Sequence, residues 1–149
     1  MIKLKEPIEL HIPSKLGFEK IAAGCAVSIA KDMKFFPAKI DDLKTAVTEA
    51  CLNAIEHGNK LNQNVHVVIN MTPSEEAMII EVWDNGGERY DISSEPDIKE
   101  KINGQKRTRG WGLFLIQNLM DEVEIKYVPD KGNVIRMVMY MKKPPVEFQ

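Results

Sequence analysis

Residues Asp41 to Lys60 read DDLKTAVTEACLNAIEHGNK, and the rest of the chain is organised around them. The stretch has no Pro, and its Gly58 lies near the end, so a helix over Asp41–His57 is expected. Leu43, Ala46, Val47, Ala50, Ala54 and Ile55 recur at three- and four-residue steps, the spacing of a buried helical face. Beside that face runs a second line: Glu49, Asn53 and His57. Side chains four apart stack on one side of a helix, so a carboxylate, an amide and an imidazole line up at the edge of a core.

Upstream, Ile2 and Leu4, then Ile8, Leu10 and Ile12, alternate loosely and predict a strand over residues 2–12. Pro7 confines that strand to an edge or a bulge. Ser14 is placed to cap a helix over residues 15–33, where Leu16, Phe18, Ile21, Ala22, Cys25, Ile29 and Met33 have helical spacing. Phe36-Pro37 breaks that pattern before the central helix, and Gly58-Asn59 is expected to end the central helix through a left-handed residue. Downstream, Val65–Met71 and Ala77–Trp83 read as an antiparallel hairpin. Patterning is then lost from Asn85 to Arg109, a length of loop that usually marks a functional lid. Gly110-Trp111-Gly112 opens another helix, and Val123–Val128 and Val134–Met141 read as two further strands joined by a turn. The order β-α-α-β-β-lid-α-β-β describes an α/β two-layer sandwich. A mixed, mostly antiparallel sheet is covered on one face by three helices. One domain is expected over residues 1–149, with a lid at about 86–109 and a loosely held tail at 142–149.

A net charge of −2 argues against a general nucleic-acid binder, which carries a basic excess. No apolar run approaches the roughly 20 residues that span a bilayer. No secretory signal is evident in MIKLKEPIEL, so a cytoplasmic location is expected. The two cysteines, Cys25 and Cys51, lie in helical segments among small apolar residues, as packed free thiols do.

Three short constellations carry chemistry. On the central helix, Glu49 is a potential general base, and Asn53 offers an amide oxygen to a hard cation. Mg²⁺ prefers oxygen ligands and is often shared with substrate phosphates. By itself ExxxN also fits a solvated face flanking a core. After the strand Ala77–Trp83 comes Asp84-Asn85-Gly86-Gly87, where a carboxylate can accept from an exocyclic amine such as that of adenine. Gly86 permits close backbone approach there, although the same residues make an ordinary turn. Finally, Arg109-Gly110-Trp111-Gly112-Leu113 opens a helix, whose free N–H groups and dipole attract phosphate. Lys106, Arg107 and Arg109 can neutralise its charge, or simply solubilise a connection.

Together and in this order the motifs become specific. The sequence resembles the GHKL (Bergerat-fold) ATPases, with an N-box Glu49–Asn53, a first glycine box Asp84–Gly86 and a second Gly110–Leu113. The wording TEACLNAIEHGNK and the ending GLFLIQNLMDEVEI narrow the resemblance to the bacterial anti-sigma-factor serine/threonine kinases of the RsbW/SpoIIAB group. It covers residues 5 to 141. Two positions depart from that group's pattern. Arg89-Tyr90-Asp91 stands near a Pro-Phe-Asp-like sequence, and Asn133 stands where relatives often carry Thr.

The resemblance implies ATP and Mg²⁺ as cofactors. Asp84 would hold the adenine amine, Asn53 the metal, and Gly86, Gly110, Gly112, Leu113 and Arg109 the nucleotide. Glu49 would act as the catalytic base, and His57 as a structural neighbour. It further implies a homodimer that phosphorylates a STAS-domain anti-sigma-factor antagonist and sequesters a sigma factor, with no direct nucleic-acid or membrane partner. The alternatives are an ATP-binding module that sequesters a partner without transfer, and a stand-alone ATPase.

Overall fold

The sheet is built from five strands in the order β1-β2-β3-β5-β4, in a computed structural model that describes residues 7–86 and 109–142. These are β1 (Ile8–Pro13), β2 (His66–Pro73), β3 (Ala77–Trp83), β4 (Glu122–Val128) and β5 (Gly132–Tyr140). The mixed pairing expected from the sequence is replaced by a simpler arrangement, because all four ladders are antiparallel. β1 is an edge strand, as Pro7 required. Along β2, β3 and β5 one face carries Val67, Ile69, Met71, Met78, Ile80, Val82, Ile135, Met137 and Met139, all buried in one core. Alternation with period two produces that face.

Three helices close the core: α1 (Glu19–Asp32), α2 (Pro37–Asn53) and α3 (Arg109–Leu119). α2 is central and packs against both of the others. Its predicted apolar stripe is fully inside, with Leu43, Ala46, Val47, Ala50, Ala54 and Ile55 in the core. α1 turns Ala22, Ala23, Ala26 and Ala30 inward, and residues this small let two helices approach closely.

Helix ends differ from expectation for identifiable reasons. α1 begins at Glu19, and Ser14 does not cap it. The Ser14 hydroxyl instead donates to the Val65 carbonyl at 2.5 Å, and the carboxylate of Glu19 accepts from the Gly17 N–H at 2.6 Å. α2 starts at Pro37, earlier than Asp41, because a proline in the first turn forfeits no helical hydrogen bond. Gly58 and Asn59 are not left-handed. The left-handed residues after this helical segment are Lys60 (φ 51°) and Leu61 (φ 60°). Between α2 and that reversal lies one π-helical turn, Ala54–Gly58, closed by Asn59 N–H to the Ala54 carbonyl at 2.8 Å. Residues 1–6, most of the expected lid (87–108) and the tail beyond 142 lie outside the described residues.

Cys51 is wholly buried on α2, and burial, aided by the charge of Glu19, pushes its thiol up to about 12. The unfolded thiol ionises near 9, so below that pH the folded and unfolded chains hold the same proton. Above it the unfolded chain loses the proton first, and stability falls until the folded thiol also titrates. Tyr140 has the same sign, since its hydrogen bond to Glu122 raises its phenol, but it is common to both proteins in a comparison with Cys51→Ala. Urea unfolding between pH 9 and 12 is expected to show a stability loss up to about 1.4 kcal/mol per pH unit steeper in the wild type than in Cys51→Ala. Equal slopes would contradict a protonated, buried Cys51.

Candidate functional site

The ladder between β3 and β5 places the first site residue. Trp83 is opposite Val134, so the next residue along, Asp84, meets Asn133, and the Asp84 N–H donates to the Asn133 carbonyl at 3.0 Å. The carboxylate of Asp84 is 2% exposed. Its Oδ1 accepts from the Gly86 N–H at 2.9 Å, the Asn133 N–H at 3.2 Å and the Asn133 Nδ2 at 3.3 Å. Hydrogen bonds of this kind let a carboxylate lose its water without losing its partners.

From the other side the carboxylate is met by Gly58, the last residue of the π turn. A Cβ on Gly58 would stand 2.2 Å from Asp84 Oδ2 and 2.4 Å from its Cγ. A Cβ on Gly86 would stand 2.3 Å from the Gly58 carbonyl oxygen. Two glycines thus allow the end of the α2 segment and the loop after β3 to touch through backbone. Gly132, with φ of 110°, supplies a third close approach, its would-be Cβ lying 2.1 Å from the Asp84 carbonyl oxygen.

Immediately before the π turn, Asn53 is 4% exposed, and among the described residues neither its Oδ1 nor its Nδ2 has a hydrogen-bond partner. A buried amide with both ends unmet costs on the order of 1–3 kcal/mol, which a bound ligand or ion would offset. Glu49 is half-buried one turn further back. Its Oε2 lies 3.3 Å from where a Cβ on Gly112 would stand, so the first turn of α3 faces the same helix edge. Gly110 is half-buried in that turn, and Arg109 opens the helix. Asn53 therefore stands on one helical segment between Glu49, which faces Gly112, and Gly58, which meets Asp84 and Gly86. An anion-attracting helix end, an orphan amide oxygen and a buried carboxylate suit a nucleotide bound with a hard cation. The side chain of Leu113 is 3% exposed and packs into the hydrophobic core, anchoring α3. His57 is half-buried within the π turn.

Sequence reading missed Gly58, Asn59 and Asn133 as site residues. Gly58-Asn59 signalled only a helix stop, and Asn133 only a departure from a family pattern. Their partners lie far away in sequence, which local patterning cannot show.

Fold and site together define a two-layer α+β domain whose central helical segment meets the loop after β3 through Gly58 and the first turn of α3 through Glu49. A family model described as a histidine kinase-like ATPase domain matches residues 18–139, and the chain belongs to that family. The serine-protein kinase RsbW of Halalkalibacterium halodurans is 31% identical over 151 residues, spanning 95% of this chain and 88% of that protein. RsbW of Listeria monocytogenes serovar 1/2a is 29% identical over 153 residues, spanning 99% and 95%. The crystal structure of the RsbU and RsbW domains of a Mycobacterium tuberculosis protein superposes with a TM-score of 0.64 at 16% identity. That match covers 89% of this chain and 32% of that one, and it is a likeness of fold. No described helix is long and apolar enough to cross a membrane.

A glycine series tests the packing around the site. Gly58→Ala must displace a buried carboxylate and is expected to cost about 1–3 kcal/mol. Gly112→Ala meets only the end of the Glu49 side chain and should stay within about 1 kcal/mol of wild type. Gly24→Ala, with nothing within 4 Å in the middle of α1, should stabilise by about 0.5–1 kcal/mol. Urea denaturation reads all three, and a tolerated Gly58→Ala would refute the close approach.

Proposed function

We propose that the chain is an ATP-dependent serine/threonine protein kinase of a bacterial partner-switching system, acting in the cytoplasm. It phosphorylates a STAS-domain anti-sigma-factor antagonist and sequesters a sigma factor. The observation that carries the reading is the polar edge of α2, where a half-buried Glu49 adjoins a buried Asn53 with an unmet amide. Similarity at about 30% identity to proteins named serine-protein kinase RsbW, along nearly the whole chain, supports it.

The residues suit the group they would bind. Asn53 offers its amide oxygen to Mg²⁺, Asp84 its carboxylate to the adenine amine, and the first turn of α3 its N–H groups to phosphate. When bound, Mg²⁺-ATP supplies the phosphoryl group and the charge neutralisation that the metal provides. Glu49 would take the proton of the partner's Ser or Thr hydroxyl as that oxygen bonds to the γ-phosphorus and ADP leaves with the bridging oxygen. Phosphoryl transfer depends chiefly on positioning and charge stabilisation, so few side chains suffice. Arg109, at the start of α3, adds positive charge near the phosphates. Homodimerisation belongs to the same reading. The sheet face away from the helices carries half-buried Val68, Ile79 and Trp83, apolar side chains that a second copy can cover.

Incubation with labelled ATP, Mg²⁺ and STAS-domain proteins from the same genome tests the proposal. Label is expected on a Ser or Thr of one of them, with Glu49→Gln slowing transfer about 10²- to 10⁴-fold while ATP still binds. Tight ATP binding by the wild type with no transfer to any of them would overturn the kinase in favour of a sequestering module.

A further inference from the structure

Asn59 follows Gly58 directly, is 6% exposed, and has both ends of its side-chain amide engaged. Its Oδ1 accepts from the Asn85 N–H at 2.7 Å. Its Nδ2 donates to the Ser14 hydroxyl at 3.0 Å and to the His66 carbonyl at 3.3 Å. The orientation of the amide follows from these partners, since a backbone N–H faces one end and oxygen acceptors face the other. Ser14, buried in turn, donates its own hydroxyl hydrogen bond to the Val65 carbonyl. One side chain therefore ties together the end of the α2 segment, the β1–α1 junction, the start of β2 and the loop leaving β3.

The last of these ties bears on the site. Asn85 stands between Asp84 and Gly86, so its N–H is the handle by which that loop is held. Asn59 is itself held by the π turn, through its N–H to the Ala54 carbonyl. That turn continues directly from Asn53. Asn59 is thus the side-chain tie between the Asp84 loop and the helical segment that carries Asn53, beside the backbone approach of Gly58.

We propose that Asn59 is a positioning residue for the nucleotide site, fixing Asp84 at the distance from Asn53 that one ligand can span. The inference rests on the nucleotide reading above and extends it to a residue that touches no ligand. Its effect falls on the end of the site held by Asp84, so ATP and ADP are affected alike.

The test pairs Asn59→Ala with Ser14→Ala, which removes one acceptor of the Asn59 amide and leaves its bond to Asn85 intact. Asn59→Ser, too short to bridge the same groups, replaces the alanine variant if that one does not fold. Titration of ATP and ADP with Mg²⁺ well below each melting temperature is combined with hydrogen exchange at the Asn85 amide without nucleotide. Loss of the Asn59 amide is expected to raise both Kd values about tenfold, by the same factor, and to speed Asn85 exchange at least tenfold. Ser14→Ala is expected to lower the melting temperature and leave both Kd values within about twofold. A lower melting temperature with unchanged Kd in the Asn59 variant would make Asn59 a structural peg and overturn the inference alone. A wild type that binds neither nucleotide would overturn the nucleotide reading and this inference with it.

Discussion

A carboxylate that is almost completely buried has to find its partners within the fold, and Asp84 finds them from two directions. β5 supplies Asn133, whose main-chain and side-chain N–H groups both reach Oδ1. The end of the α2 segment supplies Gly58, which comes so close to Oδ2 that no side chain can stand there. The first contact belongs to the sheet and the second to the helical layer. Asp84 is therefore where the two layers are pinned.

The π turn makes this possible. A regular helix continuing from Asn53 would carry its last residue around a tighter circle. The wider turn Ala54–Gly58 delivers a glycine onto the loop after β3, and such turns often occur at functional sites. Asn59 then anchors the loop itself. Asn53, on the same continuous stretch, has an amide unmet by any of the described residues. A buried amide left unmet costs stability, and a ligand group bound there would offset that cost.

Much of this was legible in the sequence, because it depends on periodicity. The apolar stripe of α2, the β2–β3 hairpin and the order of elements follow from spacings of 3.6 and 2 residues. The two glycine boxes and the N-box were named from the family resemblance, and the structure sets Glu49 of one beside Gly112 of another. What could not be read depended on distant partners. Ser14 looked like a helix cap until Val65, 51 residues away, proved to hold its hydroxyl. Asn133 meets Asp84 across 49 residues through a strand pairing that no local pattern specifies. Gly58 looked like a left-handed helix stop, whereas its lack of a Cβ serves a contact with Asp84. Leu113 shared a motif with Gly110 and Gly112, but its own side chain packs into the core.

The unmet amide of Asn53 is the point on which the chemical reading turns, because a metal there separates a nucleotide site from a mere polar seam. Calorimetric titration of ATP with and without Mg²⁺, into wild type and Asn53→Ala, addresses it directly. Withholding Mg²⁺ should weaken the wild type at least about tenfold and leave the variant unchanged. The same Mg²⁺-dependent loss in both proteins would contradict a metal held by Asn53.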